Sequence, residues 1–316
     1  MPVPLRPDGV AAKIGTVPVN GYEIGPGMIP VPTMTPPGFI HLRTAAGTAY
    51  GAAELPEPQL RRMLERPDDL LCDNLARPVK ISHDSVIVEA DLDLCRGTMC
   101  VAYKQYRPRN WWKSLCGLFR RSRALRCWQL ARALQARGIL TAQPIAACQP
   151  KGWRRAATSY LATQWIAGAE NLHLYGWRLA GQPMDERLRL ASRCAESLGR
   201  LIGHMHASGV AHRDLKGANL LVVEHDGDVT TCLVDFDGVR ICGRLSAGRR
   251  AANLARLAVG LTAHPWVTPA ICCRFLHAYA GEFSPDVIAW KPLWRDIAVR
   301  SRSMVRRKNR RHQETL

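Results

Sequence analysis

The segment from 210 to 237 constrains the fold more than any other part of the chain. It reads VAHRDLKGANLLVVEHDGDVTTCLVDFD. Two runs rich in β-branched and apolar residues flank Asp226 and Gly227, a pair that favours the tight turn of a β-hairpin. Because the two ends of a hairpin lie together, Asn219 and Asp235 are predicted to be neighbours in space.

The polar residues around this hairpin are of the types that phosphoryl transfer requires. Phosphoryl transfer from ATP requires oxygen ligands for Mg²⁺, a carboxylate that orients the attacking hydroxyl, and a cation on the phosphates. Asp214 precedes the hairpin, Asn219 follows five residues later, and Asp235 comes after the second strand. Lys104 ends an upstream predicted strand, VAYK. The four residues in this order therefore predict ATP- and Mg²⁺-dependent phosphoryl transfer.

The same motifs carry a resemblance to known enzymes. HRDLKGAN, a later DFDG and an upstream strand lysine resemble the signature of the protein-kinase superfamily. LIGHMHASGVAHRDLKGANLLV, DFDGVRI, RAANLARL and RSRALRCWQLARALQARGILTAQPIAA resemble, more narrowly, the lipopolysaccharide kinase family. Those bacterial enzymes phosphorylate heptose or Kdo sugars of the lipopolysaccharide inner core. The resemblance covers roughly residues 75–280.

The resemblance implies an α+β, two-lobed protein-kinase-like fold. A small antiparallel sheet would form the N-lobe, residues 41–166, and a mainly helical C-lobe would follow in residues 167–298. Residues 1–40, which contain nine of the 21 prolines, are interpreted as a flexible lead-in. Residues 299–316 are interpreted as a basic tail, which a run of like charges predicts to be disordered.

The resemblance also implies roles for individual residues in the second half. Asp214 would act as the catalytic base, and Asn219 and Asp235 would bind Mg²⁺. Lys216 would reach the γ-phosphate, although a flexible loop lysine needs no special role. His212 and the arginine after it would be structural.

Other implied roles fall in the first half. Lys104 would contact the α- and β-phosphates. Gln164, Trp165 and Ile166 match the interlobe hinge, whose backbone would meet the adenine. No glycine-rich loop precedes Lys104, so residues 82–85 are the candidate lid over the phosphates.

One departure from the superfamily bears on activity. A glutamate on the helix after the lysine strand normally pairs with that lysine, but no Asp or Glu lies between Gln105 and Ala169. The aligned position is Cys127. An acid from another segment, such as Asp235, would have to position Lys104. The alternative is a pseudokinase that binds nucleotide or an anionic partner without turnover.

The sequence is compatible with several classes of molecule as the acceptor of the phosphoryl group. DLKGAN is the form common in Ser/Thr protein kinases, yet no A-P-E segment follows DFDG. Small-molecule phosphotransferases share the spacing of Asp214 and Asn219 and remain an alternative. The leading hypothesis is a sugar hydroxyl of the lipopolysaccharide inner core. Nucleic acid is disfavoured, because charge alone supports it and no recognition helix or RNA motif accompanies the charge.

Composition agrees with an anionic partner. The formal net charge is +18, which favours an anionic glycolipid or saccharide, or an acidic membrane surface, as a partner. RPRNWWKSLCGLFRRSR mixes basic residues with Trp111, Trp112 and Phe119, which suits either a membrane interface or a solvated basic face. Eleven cysteines without a C-x-x-C pair favour a reducing cytoplasm, with peripheral attachment to the inner membrane as the finer expectation.

Periodicity and turn residues predict the elements around these motifs. Strands are expected in RPVKIS, SVIVEADL, MCVAYKQY and SYLATQWI, the first three as an antiparallel sheet. Helices are expected over 122–137, 184–208 and 250–261. A further helix is expected to begin at Thr268 as the N-cap, with Pro269 in the first turn.

Overall fold

The structure, a computed structural model, describes residues 13–15, 38–107, 122–151, 158–264, 266–283 and 289–313. The described residues form two compact units. The first contains those up to Ala136 together with Ala142–Ile166, and the second contains Arg137–Thr141 and those from Ala167 onward.

The first unit is built on an antiparallel sheet. In the described residues it has eight strands: β1 Lys13–Gly15, β2 Phe39–Thr44, β3 Gly47–Ala52, β4 Arg77–Ser82, β5 Ser85–Leu94, β6 Gly97–Tyr106, β7 Pro144–Pro150 and β8 Ser159–Gln164. The strand order is β1-β2-β3-β7-β8-β6-β5-β4. The predicted antiparallel pairing of β4, β5 and β6 is confirmed. The strands β1, β2, β3 and β7 were not predicted.

Three described helices accompany the sheet: α1 Glu57–Glu65, α2 Asp69–Cys72 and α3 Arg123–Gln135. α3 confirms the predicted helix over 122–137. It begins because the Ser122 side chain accepts a hydrogen bond from the Leu125 amide at 3.3 Å. Leu125, Trp128 and Ala131 are buried along one face, as the helical period requires.

The second unit is mainly helical. Its described helices are α4 Leu172–Ala180, α5 Met184–Ala207, α6 Ala247–Leu261, α7 Pro269–Gly281 and α8 Trp290–Gln313. Its described strands are β9 Glu170–Asn171, β10 Val210–His212, β11 Leu220–His225, β12 Asp228–Leu233 and β13 Val239–Ile241. The predictions of α5, α6 and α7 are confirmed, and Thr268 caps α7 by accepting from the Ile271 amide at 3.4 Å.

The predicted hairpin is confirmed by the pairing of β11 with β12. Leu220 lies opposite Leu233, and His225 lies opposite Asp228. The turn residues Asp226 and Gly227 have φ angles of 49° and 77°. Positive φ at both central residues is the backbone of the tight hairpin turn that Asp-Gly favours.

The prediction that the basic tail is disordered is wrong. α8 runs to Gln313 and therefore includes most of residues 299–316. Trp294, Ile297, Ala298 and Ser301 all line one apolar cavity of the second unit, and their spacing is that of one helix face. Basic residues alternate with these cavity-lining residues, so the apolar face of α8 is hard to recognise in the sequence.

Other expectations lie outside the described residues. Of the lead-in 1–40, only Lys13–Gly15, which forms β1, and residues 38–40 are described. The aromatic residues Trp111, Trp112 and Phe119 are not among the described residues. Within the part of the chain that the structure describes, no helix is long and apolar enough to cross a membrane.

Candidate active site

The residues predicted to be catalytic in the second unit lie on a turn between two strands. β10 ends at His212 and pairs with β13. After the turn, a single turn of 3-10 helix over Gly217–Asn219 leads into β11. Leu215 is fully buried, whereas the side chains of Asp214 and Lys216 on either side are 56% and 50% exposed. The alternation anchors the turn in the core and presents both charges to solvent.

Asp214 and Lys216 form an ion pair. The Lys216 Nζ lies 2.6 Å from the Asp214 Oδ2. Burial raises the pKa of the Asp214 carboxyl, but the hydrogen bond and charge of Lys216, helped by His212 and Asn219, outweigh it and lower the pKa below its ordinary value. Asp214 is therefore ionised at neutral pH, the form in which a carboxylate can accept a proton.

Asn219 is held by the turn that it ends. Its side chain is buried, and its Nδ2 donates to the backbone carbonyl of Asp214 at 2.8 Å. Because the amide nitrogen is used in this way, the carboxamide oxygen is the atom left to act as an acceptor or metal ligand. The turn thus fixes the orientation of Asn219 relative to Asp214.

The hairpin brings Asp235 back to Asn219, as the sequence predicts. The amide of Val234, the residue before Asp235, donates to the Asn219 carbonyl at 3.2 Å. The Asp235 Oδ1 accepts from the Asp237 amide at 3.3 Å. A backbone hydrogen bond therefore holds the residue that bears the carboxamide next to the segment that bears the carboxylate.

His212 connects the turn to the segment after the hairpin. The ring is fully buried, and its Nε2 lies 2.7 Å from the Asp235 carbonyl oxygen, so Nε2 must be the donor. A Cβ on Gly238 would lie 2.5 Å from the His212 Cε1. The glycine of DFDG is therefore required by the close approach of this imidazole ring.

A buried asparagine accepts a hydrogen bond from the backbone amide of His212. The Asn253 Oδ1, on α6, accepts from the His212 amide at 2.8 Å and lies 3.3 Å from the His206 Nε2. The His206 Nδ1 in turn lies 2.9 Å from the Tyr279 hydroxyl. Burial lowers the pKa of His206 to about 4; the hydrogen bond that its Nε2 donates to Asn253 opposes this shift, and the charge of Arg250 adds to it. His206 is consequently a neutral structural residue.

The first unit holds the remaining predicted site residues. Lys104 lies on β6, with its Nζ 4.7 Å from the centre of the Tyr106 ring. Cys127, predicted to align with the superfamily glutamate, is fully buried on α3. The candidate lid is a tight hairpin between β4 and β5, closed by the amide of Ser85 donating to the Ser82 Oγ at 3.2 Å.

The predicted hinge consists of the last residues of the first unit. The Gln164 amide donates to the Gln143 carbonyl at 2.8 Å, and the Trp165 amide donates to the Cys100 carbonyl at 3.0 Å. Both amides are therefore engaged in the unit itself, and a ligand would have to use carbonyl groups of this segment or the backbone of Ile166.

Comparison with known proteins identifies the family. Residues 99–279 match the Lipopolysaccharide kinase (Kdo/WaaP) family, which is more than half of the chain. The chain belongs to this family. Its members are kinases, so the chain is a phosphotransferase of the lipopolysaccharide kinase type. The suspected family is thereby confirmed.

Comparison of structures confirms the fold. "WaaP in complex with acyl carrier protein" matches with a TM-score of 0.55 and 20% identity, over 81% of this chain and 97% of that chain. "Crystal structure of BubR1 kinase domain" matches with a TM-score of 0.35 and 14% identity, over 65% of this chain and 51% of that chain. No curated protein matches in sequence. The α+β kinase-like fold, with an antiparallel sheet in the first unit and mainly helices in the second, is confirmed by the first of these matches.

Sequence reasoning missed Asn253 and the role of Gly238. Asn253 lies in RAANLARL, a segment that contributed to the sequence analysis only through the family resemblance. The sequence does contain a signal for Asn253, because it is an amide residue on the apolar face of α6, beside Ala251, Leu254 and Ala255. A polar residue on an apolar helix face needs a hydrogen-bond partner when it is buried.

Proposed function

We propose that this lipopolysaccharide kinase transfers the γ-phosphoryl group of ATP to a sugar hydroxyl of the inner core, on heptose or Kdo. The observation that supports it best is the backbone hydrogen bond from Val234 to Asn219. It joins the segment of Asp235 to the turn that holds Asp214, so the three groups that the reaction requires belong to one local structure.

Asn219 and Asp235 fit a Mg²⁺ ion. They offer one carboxamide oxygen and one carboxylate, and Mg²⁺ prefers oxygen ligands while keeping several positions for water and phosphate. When bound, the ion would neutralise phosphate charge as the γ-phosphoryl group is transferred. The Asn219 Nδ2 hydrogen bond to the Asp214 carbonyl would keep the carboxamide oxygen oriented for such an ion.

Asp214 would accept the proton of the attacking sugar hydroxyl. Its lowered pKa keeps it ionised, and its exposure leaves it open to an acceptor. Lys216 would leave Asp214 for the γ-phosphate when nucleotide binds, since both side chains are about half exposed and a lysine is flexible. Lys104 would contact the α- and β-phosphates, and carbonyl groups of residues 164–166 would meet the adenine.

A transfer assay tests the proposal. The purified chain is incubated with γ-labelled ATP, Mg²⁺ and dephosphorylated inner-core lipopolysaccharide, beside a peptide library and small alcohols. We expect label in the glycolipid alone. Label in peptides would favour a protein kinase. No transfer above the Asp214→Asn background, with nucleotide still bound, would favour a pseudokinase.

We propose that the enzyme works at the cytoplasmic face of the inner membrane. The net charge of +18 and the exposed basic residues of α8, among them Arg302, Arg306 and Lys308, favour an acidic lipid surface. Flotation with vesicles containing about 30% anionic lipid tests this proposal. We expect binding that disappears at high salt, and binding to neutral vesicles alone would contradict it.

We also propose an acyl carrier protein as a partner, since the matching WaaP structure is of a complex with acyl carrier protein. A cavity of about 250 Å³ in the second unit is lined almost entirely by apolar side chains from α4 to α8. Two polar atoms of its lining residues, the His264 Nδ1 and the Trp266 Nε1, are buried without a hydrogen-bond partner among the described residues. An acyl chain with a carbonyl oxygen would fit this lining.

The variant Ala258→Phe tests the partner, since residue 258 lines the cavity and a larger side chain would fill it. Acylated carrier protein should bind the wild-type chain more tightly than unloaded carrier protein, and the variant should lose this difference. Equal binding of both forms to the wild-type chain would contradict an acyl chain in the cavity, and binding of neither form would contradict the partner.

A further inference from the structure

The start of α4 lies against the candidate catalytic turn. A Cβ on Gly217 would lie 3.3 Å from the backbone nitrogen of His173. Asn171 caps α4 by accepting from the His173 amide at 3.1 Å, and it pairs with Leu221 of β11. The first turn of α4 is therefore attached to the same strand that follows the catalytic turn.

Trp177 lies one helical turn further along α4, and hydrogen bonds fix its ring. The Trp177 Nε1 donates to the His173 Nε2 at 3.3 Å. The His173 Nδ1 lies 3.2 Å from the Nε2 of His264. Because an indole nitrogen can only donate, a neutral His173 carries its proton on Nδ1 and donates to His264. The three rings thus form a directed chain of hydrogen bonds.

His264 is the buried base of this cluster. It is only 4% exposed, and its ring centre lies 4.9 Å from that of Trp177 at an angle of 60°. Burial, followed by the proximity of His173, lowers its pKa, so it remains neutral. A Cβ on Gly176 would lie 2.8 Å from the His264 Cε1. A glycine inside α4 costs helix stability, and here it makes room for this ring.

The indole is nevertheless half exposed. Trp177 is 52% exposed, although burial of so large an apolar ring is ordinarily favourable. The next residue on α4, Arg178, is held in two ion pairs. Arg178 bonds to Glu170 at 2.7 Å and to Glu224 at 2.9 Å. An apolar face of fixed orientation beside polar groups is suited to a sugar ring, which has C–H bonds on its faces and hydroxyls at its edge.

We propose that Trp177 is a stacking platform for a sugar of the acceptor next to the one that is phosphorylated, with His173 as its positioning residue. This inference rests on the proposed saccharide acceptor. The first turn of α4 touches the turn that holds Asp214, and Trp177 is one helical turn, about 6 Å, from His173. Trp177 is therefore on the helix that adjoins the turn of Asp214, as a platform for the neighbouring sugar requires. A lipid surface fits less well, since it would desolvate Arg178 and the two glutamates.

Direct binding tests the platform without turnover. The probe is deacylated, dephosphorylated inner-core oligosaccharide, titrated into the whole chain by calorimetry. Replacing Trp177 by Ala should weaken binding roughly tenfold, and replacing it by Phe by less than about threefold, because stacking energies of aromatic rings are of this size. Met184→Ala is the matched control, as Met184 is 59% exposed on the next helix, and it should bind as the wild type does.

The outcomes separate the platform from the proposed activity. Oligosaccharide binding that depends on Trp177, without phosphate transfer, would support the platform and contradict the kinase proposal. A Trp177→Ala chain that binds the oligosaccharide as tightly as the wild type, or a wild-type chain that does not bind it, would overturn the platform. Where transfer is observed, Trp177→Ala should raise the KM for the saccharide and leave the KM for ATP unchanged, whereas a merely structural role would alter both.

Discussion

The His212 imidazole donates from Nε2 to the backbone carbonyl of Asp235 at 2.7 Å. This bond joins the strand before the candidate catalytic turn to the residue after the hairpin, across 23 positions of the chain. It holds the backbone of Asp235, the proposed metal-binding residue. The arrangement depends on close packing of the buried ring, because Gly238 lies directly against it and the Asp235 carbonyl accepts from its Nε2.

Gly238→Ala should therefore destabilise the second unit. The new Cβ would lie 2.5 Å from the His212 ring, and relieving such overpacking costs about 1–3 kcal/mol. Thermal unfolding monitored by circular dichroism measures the loss. The control is Gly243→Ala, where an added Cβ would meet nothing within 4 Å. Equal melting temperatures for the two variants would contradict the packing described for His212.

Asp214→Asn should remove transfer while nucleotide binding is retained. The carboxamide cannot accept the hydroxyl proton, and loss of a general base typically lowers kcat by a factor of about 10²–10⁴. Labelled-phosphate transfer and calorimetric titration with ATP measure the two properties separately. Asp226→Asn, at an exposed hairpin turn, is the control. Unchanged kcat in the Asp214 variant would exclude it as the base.

Lys216→Ala should shift the acid limb of the activity profile to higher pH. Lys216 is the main group that lowers the pKa of Asp214 against burial, so its removal raises that pKa. The ionised form is present above the pKa and is lost as the pH falls through it. The pH dependence of kcat/KM measures this shift. Lys216→Arg keeps the charge and should leave the limb in place, and an unmoved limb in the alanine variant would argue against this coupling.

Asp235→Asn should weaken the binding of Mg²⁺. The substitution keeps the size of the side chain and removes the charge that a divalent cation prefers. The Mg²⁺ concentration needed for half-maximal transfer should rise at least about tenfold. Asp228→Asn, at the start of β12 in the same hairpin, is the control. Identical Mg²⁺ titrations for wild type and the Asp235 variant would refute its role as a ligand.

Protein stability should fall between pH 7 and pH 4 because of His206. Its pKa in the folded chain is about 4, below the ordinary value near 6.5, so the unfolded chain binds a proton that the folded chain does not. The loss is on the order of 3 kcal/mol and is complete below the folded pKa. Urea unfolding across this range measures it. His206→Gln should flatten this part of the profile.

Local sequence determined the part of the site that lies close together in the chain. Asp226 and Gly227 fixed the hairpin turn, and the strands on both sides fixed its register, so Asn219 and Asp235 could be placed together without any knowledge of the fold. The helices α3 and α5 followed from apolar periodicity, and the start of α7 followed from Thr268 as its capping residue. These signals are local, because turns, caps and helix faces depend on residues only a few positions apart.

The tertiary structure alone decided the rest. The hydrogen bond between His173 and His264 joins residues 91 positions apart, and no local pattern contains that information. The order of α8 also depends on packing, since a helix with this many like charges is stabilised by packing Trp294, Ile297 and their neighbours against the second unit. Contacts between distant segments depend on which surfaces remain to be buried once the local elements have formed. For that reason the candidate catalytic turn could be predicted from the sequence, whereas the surface proposed to bind the acceptor could not.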